Sequence, residues 1–310
     1  MNKKRLLVTG GFGNLGSWIV QDAIEKYDVT VLTKNHRQVQ INGKYSVLIA
    51  DLEDAESLKN ALENEIFHYV IHAGSVNDGF IDGYSSLSYL VNGFGTRNLV
   101  KALNMDNLEH FIYLSTFQVY GTYSGEITED TTPKPKNDYG MSHLLAEYFL
   151  SMDLGPTIYS IIRLTNSYGC PKDLHSSKWY LVLNDLSKSA FHNKEIKLSG
   201  NGKAVRDFIW MGNVTDALLK LLVAEPENEV YNLSQGKSVA MIEVARKVQS
   251  AYRDYYKKLL PIVVNENDKS LPDQSLTVLS RKLNKKIIVG KENKFESEAI
   301  KIFKFLEESQ

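Results

Sequence analysis

Leu6-Leu7-Val8-Thr9-Gly10-Gly11-Phe12-Gly13-Asn14-Leu15-Gly16 is the stretch that decides the fold of this chain. An apolar run feeds a glycine-rich turn, and residues 18–24 follow with helical amphipathic spacing. Strand, turn and helix in that order form a receptor for a dinucleotide pyrophosphate. Gly10 allows the tight turn, Gly13 lets the backbone approach the phosphates, and Gly16 lets the helix pack close to the strand. The new helix end adds free N–H groups and a favourable dipole. Glycine patterns recur by chance, so the flanking strand and helix carry much of the weight.

Outward from this turn, apolar runs alternate with amphipathic stretches. Residues 6–9, 29–32, 45–49, 69–72, 110–115 and 159–164 read as strands, and residues 57–62 and 87–103 as helices between them. The rhythm predicts an α/β fold with a doubly wound parallel sheet over residues 1–165. It weakens after Arg163. Residues 166–310 read mostly as a smaller lobe over the carboxyl edge of the sheet, with some segments returning to it. A helix is expected at 179–191, a turn at Gly200-Asn201-Gly202, and a surface loop at 131–136.

Composition narrows the function classes. The 310 residues are 43% hydrophobic, enough for a sizeable core. With 36 basic and 37 acidic residues the net charge is -1, which gives no field for nucleic acid or an anionic membrane. The single Cys170 rules out an internal disulfide or a cysteine metal cluster, and it reads as inert. No His, Asp and Glu grouping has metal spacing, so no metal is expected. No apolar run spans a bilayer. The start Met1-Asn2-Lys3-Lys4-Arg5 reads as the approach to a strand, not as a signal peptide, and a cytoplasmic location is expected.

Several further motifs occur in a fixed order: Ala50-Asp51-Leu52, Val70-Ile71-His72-Ala73-Gly74, Val91-Asn92-Gly93, Leu114-Ser115-Thr116-Phe117-Gln118-Val119-Tyr120-Gly121, Asp138-Tyr139 with His143, Arg163-Leu164-Thr165-Asn166, Val205-Arg206-Asp207-Phe208 and Val230-Tyr231-Asn232-Leu233. Together they resemble the extended short-chain dehydrogenase/reductases of the nucleotide-sugar epimerase/dehydratase type, over residues 5 to about 240. The resemblance implies a Rossmann domain. It places an NAD cofactor on Gly10, Gly13, Asn14, Leu15, Gly16, Thr33, Lys34, Asp51, Leu52, Ala73, Gly74, Asn92, Tyr139 and His143. It places a nucleoside-diphosphate sugar on Thr116, Phe117, Gln118, Tyr139, Asn166, Lys197, Arg206 and Phe208.

The chemistry follows from the residues themselves. Oxidising a secondary alcohol needs a base for the hydroxyl proton and a nicotinamide for the hydride. Tyr139 is the candidate base, although an unperturbed phenol titrates near 10. Thr116 would hold the same oxygen, and position 143 lies one helical turn beyond Tyr139 on the same face. Related enzymes carry a lysine there. His143 can keep the ribose hydrogen bond but is largely neutral near pH 7, so slow turnover or an alkaline optimum is expected, with a cofactor that stays bound between cycles. Phe117-Gln118 replaces the acidic pair of related 4,6-dehydratases. Neither side chain titrates, so dehydration is disfavoured.

Cofactor choice rests on the end of the second strand, where Val31-Leu32-Thr33-Lys34 offers no carboxylate to a ribose. Lys34 and Arg37, with His36 between them, suit a 2′-phosphate, so NADP stays open beside NAD. Other residues have plainer readings. Asn166 is a turn former, Arg206 a surface ion-pair partner, and Thr116 a strand former. The motif order favours ligand contact for these three. Phe208 is evenly balanced between core and site; Trp179 and Tyr180 read as core or as lining of the base pocket, with core the default, His72 as core, and residues 282–304 as a solvated helical face.

The resemblance implies oxidation or reduction at C4 of the sugar nucleotide, as in GDP-heptose 4-dehydrogenases of bacterial capsule biosynthesis. A 4-epimerase needs the same residues, and a catalytically silent dinucleotide sensor is the alternative of another class. It also implies a homodimer or higher homo-oligomer. Phe94, Leu144, Leu145, Phe149 and Leu150 either supply its apolar face or pack on the sheet.

Overall fold

In the computed structural model, which describes residues 3–35, 39–77, 86–173, 177–225, 227–270 and 275–308, the expected strands all form. They are β1 (Arg5–Thr9), β2 (Asp28–Thr33), β3 (Ser46–Ile49), β4 (Tyr69–His72), β5 (His110–Thr116) and Tyr159–Leu164. A seventh strand, Glu229–Leu233, returns from the second half of the chain. The sheet order is Glu229–Leu233, Tyr159–Leu164, β5, β4, β1, β2, β3, and every pairing is parallel.

Alternation along each strand sends side chains to two separate cores. Leu6, Val8, Val29, Val31, Ile71, Ile112 and Ile162 face helices Asn14–Ala23 and Met211–Leu222. Leu7, Leu32, Val70, Phe111, Tyr113 and Ile161 face helices Ala55–Leu62, Gly95–Ala102 and Asp138–Asp153. The sheet is thus doubly wound. Its order reverses between β1 and β4, and at their carboxyl ends this switch point opens the crevice that receives ligands in such folds.

The second lobe packs helices Val182–Asn193, Met241–Tyr256 and Phe295–Glu307 around Leu183, Val248, Tyr252, Ile302 and Phe303. Its small sheet sets Val205–Trp210 between Asn166–Tyr168 and Ser238–Ala240. Two expectations are corrected here. Residues 282–304 are not merely a solvated face: Phe295, Ala299, Ile302 and Phe303 recur at helical spacing and are core, leaving Lys301 and Lys304 outside. The helix expected at 179–191 is two pieces, a 3-10 turn Ser177–Tyr180 and the helix from Val182, because Leu181 is extended (ψ 140°). No helix among the described residues is long and apolar enough to cross a membrane.

Burial also makes the fold acid-sensitive. His72 and His143 are held down to about 3 and His110 to about 4, in each case mainly because burial penalises the imidazolium. Above pH 6.5 these rings are neutral in both folded and unfolded chains. As pH falls from there towards 4, the unfolded chain takes up protons that the native fold refuses. Stability is therefore lost over this window, by about 1.4 kcal/mol per pH unit for each ring. Thermal melts followed by circular dichroism should show a falling Tm below pH 6.5; a Tm flat down to pH 4 contradicts the neutral burial of these rings.

Candidate active site

A cavity of ≈ 270 Å³ lies at the switch point. Gly10, Gly13, Asn14, Leu15, Gly16 and Ala73 line one side, Thr116, Phe117, Gln118 and Tyr139 the middle, and Asn166, Lys178, Tyr180, Asn184 and Phe208 the lobe side. A larger and more open hollow of ≈ 840 Å³ lies among Lys3, Arg5, Asp28 and His68, at the amino ends of the strands. It contains none of the cofactor or substrate residues expected from the sequence.

The glycine turn is tight because nothing larger fits. Gly10 has φ +64°, and a Cβ there would lie 2.7 Å from the Gly74 Cα. A Cβ on Gly16 would lie 2.1 Å from the Gly10 carbonyl oxygen. Helix Asn14–Ala23 then starts with no side-chain cap and no acidic residue in its first turn. Its leading N–H groups have no acceptor further back in the helix. Asn14 Oδ1 is buried without a hydrogen-bond partner. The open helix end suits a bound anion, whereas the Asn14 oxygen is an acceptor that calls for a donor.

Tyr139 stands in the first turn of helix Asp138–Asp153, whose N-cap Asn137 accepts a 2.7 Å bond from Gly140 N–H. Gln118 steadies this start: its Oε1 accepts from Asn137 Nδ2 at 2.9 Å. Part of Tyr139 remains open to the cleft, yet it is packed deeply enough that burial pushes its phenol up to about 12. The nearby Tyr180 phenol adds to the rise and the Thr116 hydroxyl opposes it. His143 lies beside Tyr139, ring centroids 4.6 Å apart, and is fully buried and neutral. Its Nδ1 is 2.7 Å from the Tyr113 hydroxyl, and its Nε2 has no partner.

A polar chain runs under these residues. Asn92 sits in a π-helical turn, Tyr89–Phe94, inside what sequence spacing presents as one continuous helix. Its side chain accepts from Val76 N–H and donates to the Val76 carbonyl and to Ser142 Oγ. Ser142 in turn donates to the Tyr139 carbonyl. His72 is a satisfied core residue, bonded to Thr9 Oγ1 at 2.5 Å and to Thr96 Oγ1 at 2.8 Å.

Other residues named from the sequence stand away from the cavity lining. Lys34 Nζ is 2.5 Å from Asp51 Oδ2 and 3.5 Å from Glu53 Oε2, and Thr33 donates to the Asn35 carbonyl. His36 and Arg37 lie outside the described residues. Leu52 supports the Gly74 and Gly95 backbones. Lys197 is exposed on the short strand Ile196–Lys197. Arg206 donates to the Val205 carbonyl and lies over the Tyr123 ring. Its neighbour Asp207 is fully buried, accepting from Thr165 Oγ1, Gln235 N–H and Gly236 N–H. Phe208 resolves its two readings by doing both, as a buried ring of the lobe core that also lines the cavity. Cys170 is buried, with its thiol pushed up to about 12 by burial.

Lys178 and Asn184 escaped the sequence reading. The two aromatic neighbours divide the two readings: Tyr180 is cavity wall, 47% exposed, and not the core residue its default reading made it, while Trp179 packs on the lobe core. Adjacent positions on a helical turn point about 100° apart, so a Trp-Tyr pair rarely buries both rings, and this was the available signal. Leu150 is core against the sheet, whereas Phe94 faces outward with Leu90, Met141, Tyr148 and Met152. Among the described residues no group of three or more His, Cys, Asp or Glu could hold a metal ion.

Comparison with known proteins agrees with this architecture. Residues 6–234 match the sequence model of the NAD dependent epimerase/dehydratase family. The chain is 27% identical to human dTDP-D-glucose 4,6-dehydratase over 262 residues, covering 79% of this chain and 73% of that protein. It is 26% identical to GDP-6-deoxy-D-talose 4-dehydrogenase of Aggregatibacter actinomycetemcomitans over 245 residues, covering 77% of each. The crystal structure of UDP-glucose 4-epimerase from Bifidobacterium longum, in complex with NAD+ and UDP, superimposes with a TM-score of 0.81 at 19% identity, covering 98% of both chains.

Proposed function

Because the chain belongs to the NAD dependent epimerase/dehydratase family, we propose that it is an NAD-dependent oxidoreductase acting at C4 of a nucleoside-diphosphate sugar. One observation carries this reading: the glycine turn, Tyr139 and Thr116 line the same cavity. Gly10, Gly13, Gly16 and the open helix end would hold the cofactor diphosphate, and His143 Nε2, buried and unpartnered, would meet its ribose. NAD, when bound there, supplies the hydride acceptor. Lys34 already sits between Asp51 and Glu53, and these two carboxylates oppose a 2′-phosphate at the end of β2, favouring NAD over NADP.

Tyr139 receives the proton of the hydroxyl being oxidised, and Thr116 holds the same oxygen. Asn166 and Lys178, which line the cavity, would meet the substrate diphosphate, and Phe208 its base. Dehydration lacks its acid and base, since Phe117 is buried and apolar and the Gln118 amide oxygen is engaged by Asn137. A 4-epimerase would use the same residues and return the sugar reduced on its other face. The GDP-linked relative makes GDP-sugars, GDP-heptose among them, the first substrates to offer.

The test is to identify the nucleotide released from the denatured protein, then to offer GDP-, dTDP- and UDP-sugars while following reduced-nicotinamide absorbance and the sugar product. Bound NAD with a 4-keto product is the expected result; an inverted C4 with no net redox change would make the protein an epimerase. If no dinucleotide is bound and none is taken up, the proposal fails. Sugar-nucleotide binding with no redox change under any condition would point to a sensor.

A further inference from the structure

We propose that Tyr113 is a positioning residue that fixes His143 as the neutral tautomer with its proton on Nε2, so that the ring beside Tyr139 offers a donor without a charge. The assignment of the tautomer rests on geometry alone. What the donor meets rests on reading the cleft as a cofactor site.

Both rings are about 1% exposed, and the Tyr113 hydroxyl lies 2.7 Å from His143 Nδ1. Two arrangements of protons are possible across that bond. In one, Tyr113 O–H donates to Nδ1, the imidazole proton sits on Nε2, and the only group left without a partner is that N–H. In the other, Nδ1–H donates to the phenol oxygen. The phenol proton then has no acceptor in hydrogen-bond geometry, and the Nε2 lone pair is orphaned as well. Thr96 is the other hydroxyl near Tyr113. Its oxygen lies outside hydrogen-bond geometry of the Tyr113 phenol, and it is turned instead to the Asn92 carbonyl at 2.6 Å and to His72 Nε2 at 2.8 Å. Each buried orphan costs about 1–3 kcal/mol, so the first arrangement is preferred.

The phenol is also held still. Tyr113 stacks on His72 with ring centroids 5.4 Å apart, on the side of the sheet that the Tyr139 helix covers. The ionisable groups around the pair are His72 from β4, Tyr139 from the helix, and Glu147 one turn beyond His143. Glu147 is occupied by Arg163 and Ser115. A lysine at position 143 would supply donor and charge together. Histidine under Tyr113 supplies the donor alone.

Histidine-selective 15N labelling of the whole protein reads the tautomer directly from two-bond 1H–15N spectra, with the ring assigned by His143→Gln. The wild type should show a single species with Nε2 protonated. Tyr113→Phe keeps the ring and removes the hydroxyl, and should move both nitrogen shifts towards the average of two tautomers. A wild-type ring protonated on Nδ1 overturns the proposal. So does a single Nε2–H species in Tyr113→Phe, since Tyr113 would not then set the tautomer. Adding NAD separates the two readings. If calorimetry finds no binding, the cofactor assignment falls while the tautomer stands. If NAD binds and the Nε2 signal moves, the donor meets the cofactor; if NAD binds and the signal stays, the donor role is overturned.

Discussion

Tyr139→Phe is expected to lower kcat for sugar-nucleotide oxidation by about 10²–10⁴-fold while leaving dinucleotide binding close to wild type. The substitution removes one oxygen. It leaves the ring against His143, the Asn137 cap and the Asn92 support unchanged. What disappears is the acceptor for the hydroxyl proton. No other described group is arranged to replace it: Gln118 does not titrate, and Thr116 is a poor base. The check is single-turnover kinetics beside calorimetric binding of NAD. A variant that keeps most of the wild-type rate would remove Tyr139 from the chemistry, and a variant that loses rate and binding together would indicate a damaged fold.

His143→Lys should move the alkaline limb of the pH–rate profile for alcohol oxidation downward by about one to three pH units, because a cation this close to a phenol favours the phenolate. In the native protein burial holds the phenol at about 12, and the imidazole beside it is neutral. Little of it is ionised at neutral pH, and the rate should climb steadily with alkalinity. The direction is fixed by charge. Lowering the phenol pKa raises the phenolate fraction at pH 7, so the lysine variant should be faster there by about tenfold or more. His143→Gln is the control, a neutral donor that should leave the limb in place. A lysine variant whose profile does not move would mean that position 143 does not tune Tyr139.

The sheet and the centre of the site could be read from the chain because each rests on local pattern. Strands with both faces buried are continuous apolar runs, so Leu6-Leu7-Val8 and His110 to Thr116 stand out, and the glycines are forced by contacts within the turn itself. What depends on distant partners was hidden. The neutral state of His143 follows from burial that only the folded chain imposes, and the hydroxyl at its Nδ1 comes from a tyrosine thirty positions earlier. The pairing of Lys34 with Asp51 neutralises the lysine charge that the sequence suggested at the end of β2. Whether Tyr180 is core or cavity wall depends on where the helix breaks, and a hydrophobic stretch does not mark the extended Leu181 that separates the two pieces.

The place of Glu229–Leu233 in the main sheet has a consequence for how the chain is made. This strand forms the outer edge beyond Tyr159–Leu164, yet it leaves the ribosome only after the first stretches of the lobe have been synthesised. Until then Ile161 and Ile162 belong to an open, apolar strand edge, the kind of edge that pairs with the wrong partner. The dinucleotide half therefore cannot finish before the substrate half has begun, and a nascent chain halted between the two presents a sticky margin to chaperones and to its neighbours.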